Sequence, residues 1–203
     1  MKNNLILASA LIAACLAQWA SAQESEARKV ATQVCSSCHG PRGESISSAF
    51  PRLAAQQAAY IDTQLKAFRD RTRADPMAQG YMWGMASQLD DEGIKGLAAY
   101  YAAQKPVRSK VADAKLAQEG KALYESGVPG ANAQPCGTCH GQNGEGNGIY
   151  PRLAGQHAEY LVKQLVVFKD ALRTDSNAAI MHDISSRMSF DQMQAVSTYL
   201  ASR

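Results

Sequence analysis

The chain has 203 residues, of which 46% are hydrophobic and 19% are charged, and its formal net charge is +3 at neutral pH. So small a positive charge gives no argument for nucleic-acid binding, which depends on a clustered basic surface. Beyond the N-terminal segment, no stretch approaches the roughly 20 apolar residues of a membrane-spanning helix, so any membrane association is expected to be peripheral.

The first 22 residues have the pattern of a secretory signal peptide. Lys2 gives a short positive region, residues 5–16 are apolar, and residues 20–22 form an Ala-Ser-Ala cleavage site. The pattern predicts export to the periplasm and a mature chain that begins at Gln23. Residues 12–15 also resemble a lipoprotein cleavage site, and the alternative is an acylated Cys15 that anchors the protein to the membrane.

One pentapeptide occurs twice in the mature chain, first as Cys35-Ser36-Ser37-Cys38-His39 and then as Cys136-Gly137-Thr138-Cys139-His140. C-x-x-C-H is the attachment sequence of c-type haem. The two thiols form thioethers with the vinyl groups along one porphyrin edge, and the following His supplies its imidazole to the iron. If cleavage follows residue 22, all four remaining cysteines belong to these motifs and none is left for a disulfide.

A C-x-x-C pair also occurs in zinc sites and in thioredoxin-like redox sites. Zinc sites favour finger-like spacings of Cys and His, and the redox motif is expected within a βαβ pattern. Neither alternative explains a His placed directly after both pairs. The sequence therefore predicts two covalently bound haem c groups, with His39 and His140 as iron ligands.

The two halves of the chain repeat each other at a spacing near 100 residues. The segment Pro51-Arg52-Leu53-Ala54 recurs as Pro151-Arg152-Leu153-Ala154. The same offset pairs Gln56, Tyr60, Gln64, Leu65, Phe68, Asp70 and Arg73 with Gln156, Tyr160, Gln164, Leu165, Phe168, Asp170 and Arg173. A repeat of this length indicates a duplicated domain. We expect a signal peptide over 1–22, a first domain over 23–104, a linker over 105–112 and a second domain over 113–203.

Apolar residues recur at helical spacing in both halves, and no alternating pattern typical of strands is present. The first half has the sets Ala27, Val30 and Val34, then Tyr60, Ile61, Leu65 and Phe68, then Ile94, Leu97, Ala98 and Tyr101. The second half has Leu116, Gly120, Leu123 and Tyr124, then Tyr160, Leu161, Leu165 and Phe168, then Met193, Val196 and Leu200. Asp90 or Asp91 can cap one helix, and Ser189 with Gln192 forms a capping-box pattern. The predicted fold class is all-α with two tandem domains.

The sixth ligand of each iron decides between electron transfer and ligand chemistry. When the halves are aligned, Met82 and Met181 are the only methionines that coincide, 43 and 41 residues after the two motif histidines. We expect them to be the axial ligands. Met77 and Met85 compete with Met82 in the first half. Met188 and Met193 are expected to be flexible core residues instead.

Two further histidines, His157 and His182, have no histidine counterpart in the first half. An isolated His is more often a hydrogen-bonded residue than a metal ligand. Because His182 directly follows Met181, bis-His ligation of the second iron stays an alternative.

The repeated Pro-Arg pair is the strongest candidate for support around each haem. A carbonyl near Pro51 or Pro151 could accept the N–H of the axial His, and Arg52 or Arg152 could pair with a haem propionate. The alternative for each Arg is a solvated surface charge.

These motifs together resemble the dihaem cytochrome c4 family. The resemblance rests on both C-x-x-C-H motifs, the repeated P-R-L-A-[AG]-Q with its following Tyr and Q-L, the M-x-G-M that begins at Met82, and the run from Gly141 to Asn147. It implies two class I cytochrome c domains packed about a pseudo-twofold axis, His/Met ligation at both irons, and propionates that face each other across the interface. One departure is Ala55, where the second half has Gly155.

The resemblance and the paired methionines favour a periplasmic electron carrier that is not an enzyme and has no small-molecule substrate. The expected partners are redox proteins, a quinol–cytochrome c oxidoreductase and a terminal oxidase. One alternative is a dihaem enzyme of the peroxidase-like or thiosulfate-oxidising kind, which needs an iron open to substrate. Another is the cytochrome subunit of a larger dehydrogenase, such as flavocytochrome sulfide dehydrogenase.

Overall fold

The computed structural model describes residues 24–110, 113–129, 134–176 and 178–203. Across these ranges the chain forms helices and loops, and its β-type pairing is limited to one isolated bridge between Asn147 and Tyr150. The all-α class predicted from the sequence is confirmed. The predicted signal peptide and the alternative at Cys15 lie outside the described residues.

The first domain contains four α-helices and two π-helical turns after the helical residues 24–30. In chain order these are π1 (Ala31–Cys35), α1 (Ser36–His39), α2 (Ala58–Arg69), π2 (Ala78–Met82), α3 (Trp83–Ala86) and α4 (Asp91–Ala102). Both π-helical turns run directly into the α-helix that follows, so each forms one continuous helical segment with it.

The second domain repeats this order with five α-helices among its described residues. They are α5 (Ala114–Ser126), α6 (Gly137–His140), α7 (Ala158–Lys169), α8 (Ala179–Ser186) and α9 (Phe190–Ala201). Residues 105–110, within the proposed linker, have no regular secondary structure.

Side-chain caps fix the start of three of the longer helices. Asp90 accepts a hydrogen bond from the Gly93 N–H at 2.7 Å and begins α4, while Asp113 caps α5 in the same way. Ser189 and Gln192 form the reciprocal capping box expected at the start of α9. Each cap satisfies backbone N–H groups that lack a partner inside the helix.

Each domain has a core in which its C-terminal helix packs on its N-terminal helix. In the first core, Ala31 lies against Leu97 and Ala98 of α4. In the second, α5 crosses α9 so closely that a Cβ on Gly120 would lie 1.9 Å from the Ala195 carbonyl oxygen. Further apolar side chains of the second core are Leu123, Tyr124, Val128, Leu161, Met188, Met193, Val196, Tyr199 and Leu200.

The two domains meet through reciprocal contacts about a pseudo-twofold axis. Gln56 binds the backbone of Arg152, and Gln156 binds the backbone of Arg52. Each contact therefore has a counterpart in which the domains exchange roles.

The structure explains why the first domain has Ala55 where the second has Gly155. Ala55 and Gly155 both have a left-handed backbone, with φ of 57° and 75°. A Cβ on Gly155 would lie 2.0 Å from the Val107 carbonyl oxygen, because the linker passes over this turn. The second domain therefore requires glycine at this position on steric grounds, while the first domain accommodates alanine.

Candidate functional site

Each C-x-x-C-H motif ends in one short turn of helix. His39 is the last residue of α1 and His140 is the last residue of α6, and both imidazoles are buried. The four motif cysteines, Cys35, Cys38, Cys136 and Cys139, are partly exposed. The helical turn holds the two thiols of each motif and its imidazole on one short segment, as covalent attachment to one porphyrin requires.

A proline carbonyl orients each motif histidine. The Nδ1 of His39 lies 2.8 Å from the Pro51 oxygen, and the Nδ1 of His140 lies 3.0 Å from the Pro151 oxygen. Because a carbonyl oxygen only accepts, Nδ1 carries the proton and Nε2 keeps its lone pair. Burial lowers the pKa of both imidazoles, although the bond to the Pro carbonyl acts in the opposite direction. Burial prevails and keeps the imidazole neutral, while the Pro carbonyl holds the proton on Nδ1, so Nε2 is available to bind iron.

The first thiol of each motif, Cys35 or Cys136, packs against the apolar core of its domain, which suits a porphyrin edge. Burial raises the pKa of the Cys35 and Cys136 thiols. The buried Tyr101 hydroxyl lies beside the Cys35 thiol, and burial together with this thiol raises the pKa of the hydroxyl. Among the described residues, no group of three or more His, Cys, Asp or Glu is arranged to hold a metal ion, as a zinc site would require. The donor set of each motif fits covalent haem.

The preferred axial methionines occupy corresponding, half-buried positions. Met82 ends π2 and packs beside the buried Phe68, while Met181 lies in α8. In the first domain, the Phe50 ring is edge-on to both His39 and Tyr81, with ring centroids 6.1 and 5.6 Å apart. These ring contacts bring the segment that carries Met82 to the side of the domain where His39 lies. Axial ligation by the two methionines stays a prediction.

The other methionines fall into two groups. Met188 and Met193 are buried in the second core, 4% and 1% exposed, which confirms their expected packing role. Met77 is half-buried and Met85 is 54% exposed.

His182 has a hydrogen-bonding role that its sequence position did not reveal. Its Nε2 lies 2.7 Å from the Arg173 carbonyl oxygen, while Trp83 donates from Nε1 to the Arg73 carbonyl at 2.8 Å. Trp83 and His182 thus serve as equivalent donors in the two domains. The bond occupies Nε2 of His182 and leaves only Nδ1 for an iron, and this favours Met181.

The second isolated histidine, His157, belongs to the domain interface. Its Nε2 lies 2.9 Å from the Ser45 carbonyl oxygen of the first domain. Gln57 makes a similar contact in the opposite direction, donating to the Glu145 carbonyl at 2.9 Å.

The two arginines of the Pro-Arg pairs are half-buried rather than solvated. Arg52 donates to the Ser45 carbonyl, to the Ser109 hydroxyl and to the Gly155 carbonyl, at 3.3, 2.8 and 2.5 Å. Burial lowers the pKa of both Arg52 and Arg152. No salt bridge joins either guanidinium to a carboxylate of the described residues, although the nearby Glu145 partly offsets the effect of burial on the pKa of Arg152. A propionate would supply the missing anion, and that pairing stays a prediction.

A second set of interface contacts is built around two buried arginines. Arg73 donates to Gln64 of its own domain at 2.6 Å and to Gln164 of the other domain at 3.1 Å. Arg173 likewise donates to Gln164 at 3.1 Å and to Gln64 at 2.6 Å.

Each of these arginines is neutralised within its own domain. The Arg73 Nε pairs with Asp75 at 2.8 Å, and the Arg173 Nε pairs with Asp175 at 2.7 Å. Burial works against the charged guanidinium, but Tyr60 and Asp175 raise the pKa of Arg173. This arrangement satisfies polar groups that would otherwise destabilise a buried interface.

In the sequence, Gln56, Gln64 and Arg73 are distinguished only by being identical in the two halves. Packing of a domain's own core does not require identical polar residues on its helices and turns. This identity was the signal in the sequence that could have indicated a role at the interface. Asp75 and Asp175 were missed, although they too share the offset of 100 residues.

Two helical domains, each with a thiol pair and an imidazole held by a proline carbonyl, define a dihaem c-type cytochrome. The family model described as cytochrome c matches residues 25–104 and again residues 117–203.

Comparisons with individual proteins agree with this class. Cytochrome c4 of Azotobacter vinelandii is 38% identical over 175 residues, covering 82% of this chain and 83% of the relative. The solved structure of Acidithiobacillus ferrooxidans cytochrome c4 has a TM-score of 0.77 at 40% identity and covers 83% of this chain and 98% of that chain. The thiosulfate dehydrogenase electron acceptor of Thiomonas intermedia (strain K12) is 34% identical over 214 residues, covering 100% of this chain and 92% of the relative.

This chain belongs to the dihaem cytochrome c4 family. It carries two covalent haem c groups, at Cys35 and Cys38 and at Cys136 and Cys139, and it is an electron carrier.

Proposed function

We propose that this protein is a periplasmic carrier that takes single electrons from a quinol-oxidising complex and passes them toward a terminal oxidase. In this proposal both irons have His/Met ligation, through His39 with Met82 and His140 with Met181. Bound haem supplies a one-electron ferric/ferrous couple.

The main observation that supports the proposal is that both halves contain the same complete set of groups. In each half, two thiols hold the porphyrin edge and a Pro carbonyl fixes the imidazole tautomer. A thioether ligand favours ferrous iron and closes the iron to outside ligands, so each half can exchange electrons without substrate chemistry.

The domain interface supports electron passage between the two haems within one molecule. The Pro-Arg segments beside the two axial histidines contact opposite domains directly, through Gln56 and Gln156. The buried hydrogen bonds across the interface hold the two domains, and with them the two haem sites, in one arrangement.

We further propose that residues 1–22 direct export and are removed. No helix among the described residues is long and apolar enough to cross a membrane. Mass spectrometry of the protein from a periplasmic fraction tests this proposal. A mature N-terminus at Gln23 is expected, whereas an acylated N-terminal Cys15 would establish a membrane anchor instead.

A second candidate partner is a thiosulfate dehydrogenase. The observation that favours it is the 34% identity to the Thiomonas intermedia electron acceptor, which covers the whole of this chain. In that case the protein would still carry electrons toward an oxidase, and only the donor would differ.

Reduction kinetics distinguish the two donors. The oxidised protein is mixed with catalytic amounts of a quinol–cytochrome c oxidoreductase plus quinol, or with a thiosulfate dehydrogenase plus thiosulfate. Fast reduction by the quinol system alone supports the proposed pathway. Fast reduction by the thiosulfate system alone would identify a thiosulfate dehydrogenase as the donor instead. Turnover of peroxide by the reduced protein without any partner would contradict a carrier role.

A further inference from the structure

One peptide unit beside each axial histidine is held from both sides. The peptide bond between Pro51 and Arg52 accepts the His39 Nδ1–H at its carbonyl oxygen, at 2.8 Å. The N–H of the same peptide donates to the Gln156 Oε1 of the other domain, at 2.9 Å. Imidazole, peptide and side-chain amide therefore form one hydrogen-bonded chain that crosses the domain interface.

The second domain has the same arrangement with the roles exchanged. The peptide between Pro151 and Arg152 accepts the His140 Nδ1–H at 3.0 Å and donates to the Gln56 Oε1 at 2.6 Å. Each histidine is thus connected to a glutamine of the opposite domain.

The two glutamines are fixed in orientation. Each also donates from Nε2 to the carbonyl of the Arg that it binds, Gln56 to Arg152 and Gln156 to Arg52, both at 3.0 Å. Both side chains are buried, at 6% exposure. Each side-chain amide accepts a hydrogen bond from the backbone N–H of an arginine and donates one to the backbone C=O of the same arginine. Only one orientation of the amide oxygen and nitrogen satisfies both bonds.

We propose that Gln156 is a positioning residue that lowers the reduction potential of the haem bound to His39, and that Gln56 does the same for the haem bound to His140. Each domain thereby sets the potential of the other. This proposal rests on the proposed axial roles of the two histidines.

The direction follows from polarisation along the chain. An acceptor on the peptide N–H increases the negative charge on the peptide oxygen, because hydrogen bonds in a chain polarise one another. A stronger acceptor at Nδ1–H makes the imidazole more basic and stabilises the ferric iron. Loss of the glutamine oxygen should therefore raise the potential of the opposite haem.

The test uses Gln156→Met and Gln56→Met, which remove the amide and largely keep its volume. Midpoint potentials are measured by an NMR-monitored redox titration in which haem methyl signals are assigned to each domain. Gln156→Met is expected to raise mainly the potential of the His39 haem, and Gln56→Met mainly that of the His140 haem. The ferrous-state Nδ1–H signal of the same histidine should move upfield.

Gln57→Met is the matched control, because it breaks an interface hydrogen bond to the Glu145 carbonyl and leaves the Arg152 peptide untouched. It is expected to produce no selective shift. For haem-loaded Gln156→Met and Gln56→Met, three results would overturn the proposal. They are equal shifts of both reduction potentials, a shift mainly at the haem of the mutated domain, and no shift of either potential.

One measurement needs no substitution. In the reduced wild-type protein, a scalar coupling across the hydrogen bond from the Arg52 amide nitrogen to the Gln156 side-chain carbonyl carbon is expected, and its absence would also overturn the proposal. Ferric absorption spectra report axial ligation separately, so a failure of His/Met ligation can be told apart from a failure of this tuning.

Discussion

Trp83 and His182 differ in chemistry, yet both donate a side-chain N–H to the carbonyl of the corresponding arginine. The aligned sequences place these residues opposite each other, but sequence alone leaves His182 open as an iron ligand. The structure adds the bond from Nε2, which assigns this nitrogen to the Arg173 carbonyl.

Replacing His182 with tryptophan, the residue at the corresponding position 83 of the first domain, tests this assignment. His182→Trp is expected to leave the ferric spectrum unchanged, because indole donates the same hydrogen bond and Met181 keeps the iron. His182→Ala should keep the spectrum too, with a loss of about 1 kcal/mol in the free energy of unfolding. A changed axial-ligand spectrum in His182→Trp would identify His182 as a ligand.

The axial methionines lead to a second prediction. Met181→Ala should remove about half of the red charge-transfer absorption that marks Met-ligated ferric haem, because one of two such sites is lost. Met193→Leu, a swap of similar volume in the second core, should keep the full absorption. Absorption spectra normalised to haem content provide the comparison, and full absorption in Met181→Ala would rule out Met181.

Residue roles were predictable where chemistry demands a fixed spacing. Cys35, Cys38 and His39 form a local motif whose geometry one helical turn determines. The partners of Arg52 could not be predicted, because Ser109 and Gly155 are distant in sequence and contact it only after the domains have packed.

The helices α4 and α9 begin at the caps that the sequence predicted, Asp90 and Ser189, but the two π-helical turns were not foreseen. Ala31–Cys35 ends at the first cysteine of the first haem motif, and Ala78–Met82 ends at the proposed axial ligand. A π-helical turn differs from an α-helical turn by one residue and has no clear compositional signal, although such turns are frequent at functional sites. Here one turn ends at Cys35, which binds haem, and the other ends at Met82, the proposed axial ligand.

The crossing of α5 and α9 gives a prediction for one position. Gly120→Ala should lower the free energy of unfolding by about 1 to 3 kcal/mol, because the added methyl group meets the Ala195 backbone, which cannot move without shifting α9. Gly93→Ala is the control, since its Cβ would contact only the Asp90 side chain at 3.1 Å. Chemical denaturation of the loaded protein measures both, and equal stability of the two variants would contradict the close crossing.

At the scale of the whole molecule, the sequence repeat predicted two domains and the resemblance to cytochrome c4 predicted their pseudo-twofold packing, but neither identified the residues that join them. Helical periodicity identifies the apolar face that each helix turns toward its own core. This periodicity gives no information about the polar faces of the helices, and the interface is built from polar residues such as Gln56, Gln64 and Arg73. Their identity in both halves becomes informative only once the reciprocal contacts are known.

The buried ion pair at this interface should make stability depend on pH. Burial raises the pKa of Asp175, but Arg173 and other donors outweigh this effect and hold the pKa of the carboxyl below its usual value. Because the folded pKa is depressed, the stabilisation is complete above about pH 4, the usual Asp value, and is lost as the pH falls through the folded pKa.

Asp175→Asn should therefore flatten the fall in stability below about pH 4. At neutral pH it should lower the free energy of unfolding by about 3 to 5 kcal/mol, because Arg173 keeps a buried charge without its partner. Denaturation at several pH values checks both effects. Glu125→Gln, which breaks an exposed pair with Lys121, is the control and should change little. An unchanged pH profile in Asp175→Asn would contradict the proposed role of the pair.

The central claim is that both domains carry a closed, His/Met-ligated haem. The ferric absorption spectrum of the purified protein, together with haem and protein quantitation, tests it most directly. We predict two haem c groups per chain, the red charge-transfer absorption of Met-ligated iron at both, and no rapid binding of cyanide or peroxide. A high-spin site that binds either ligand rapidly, or a single haem per chain, would contradict the claim.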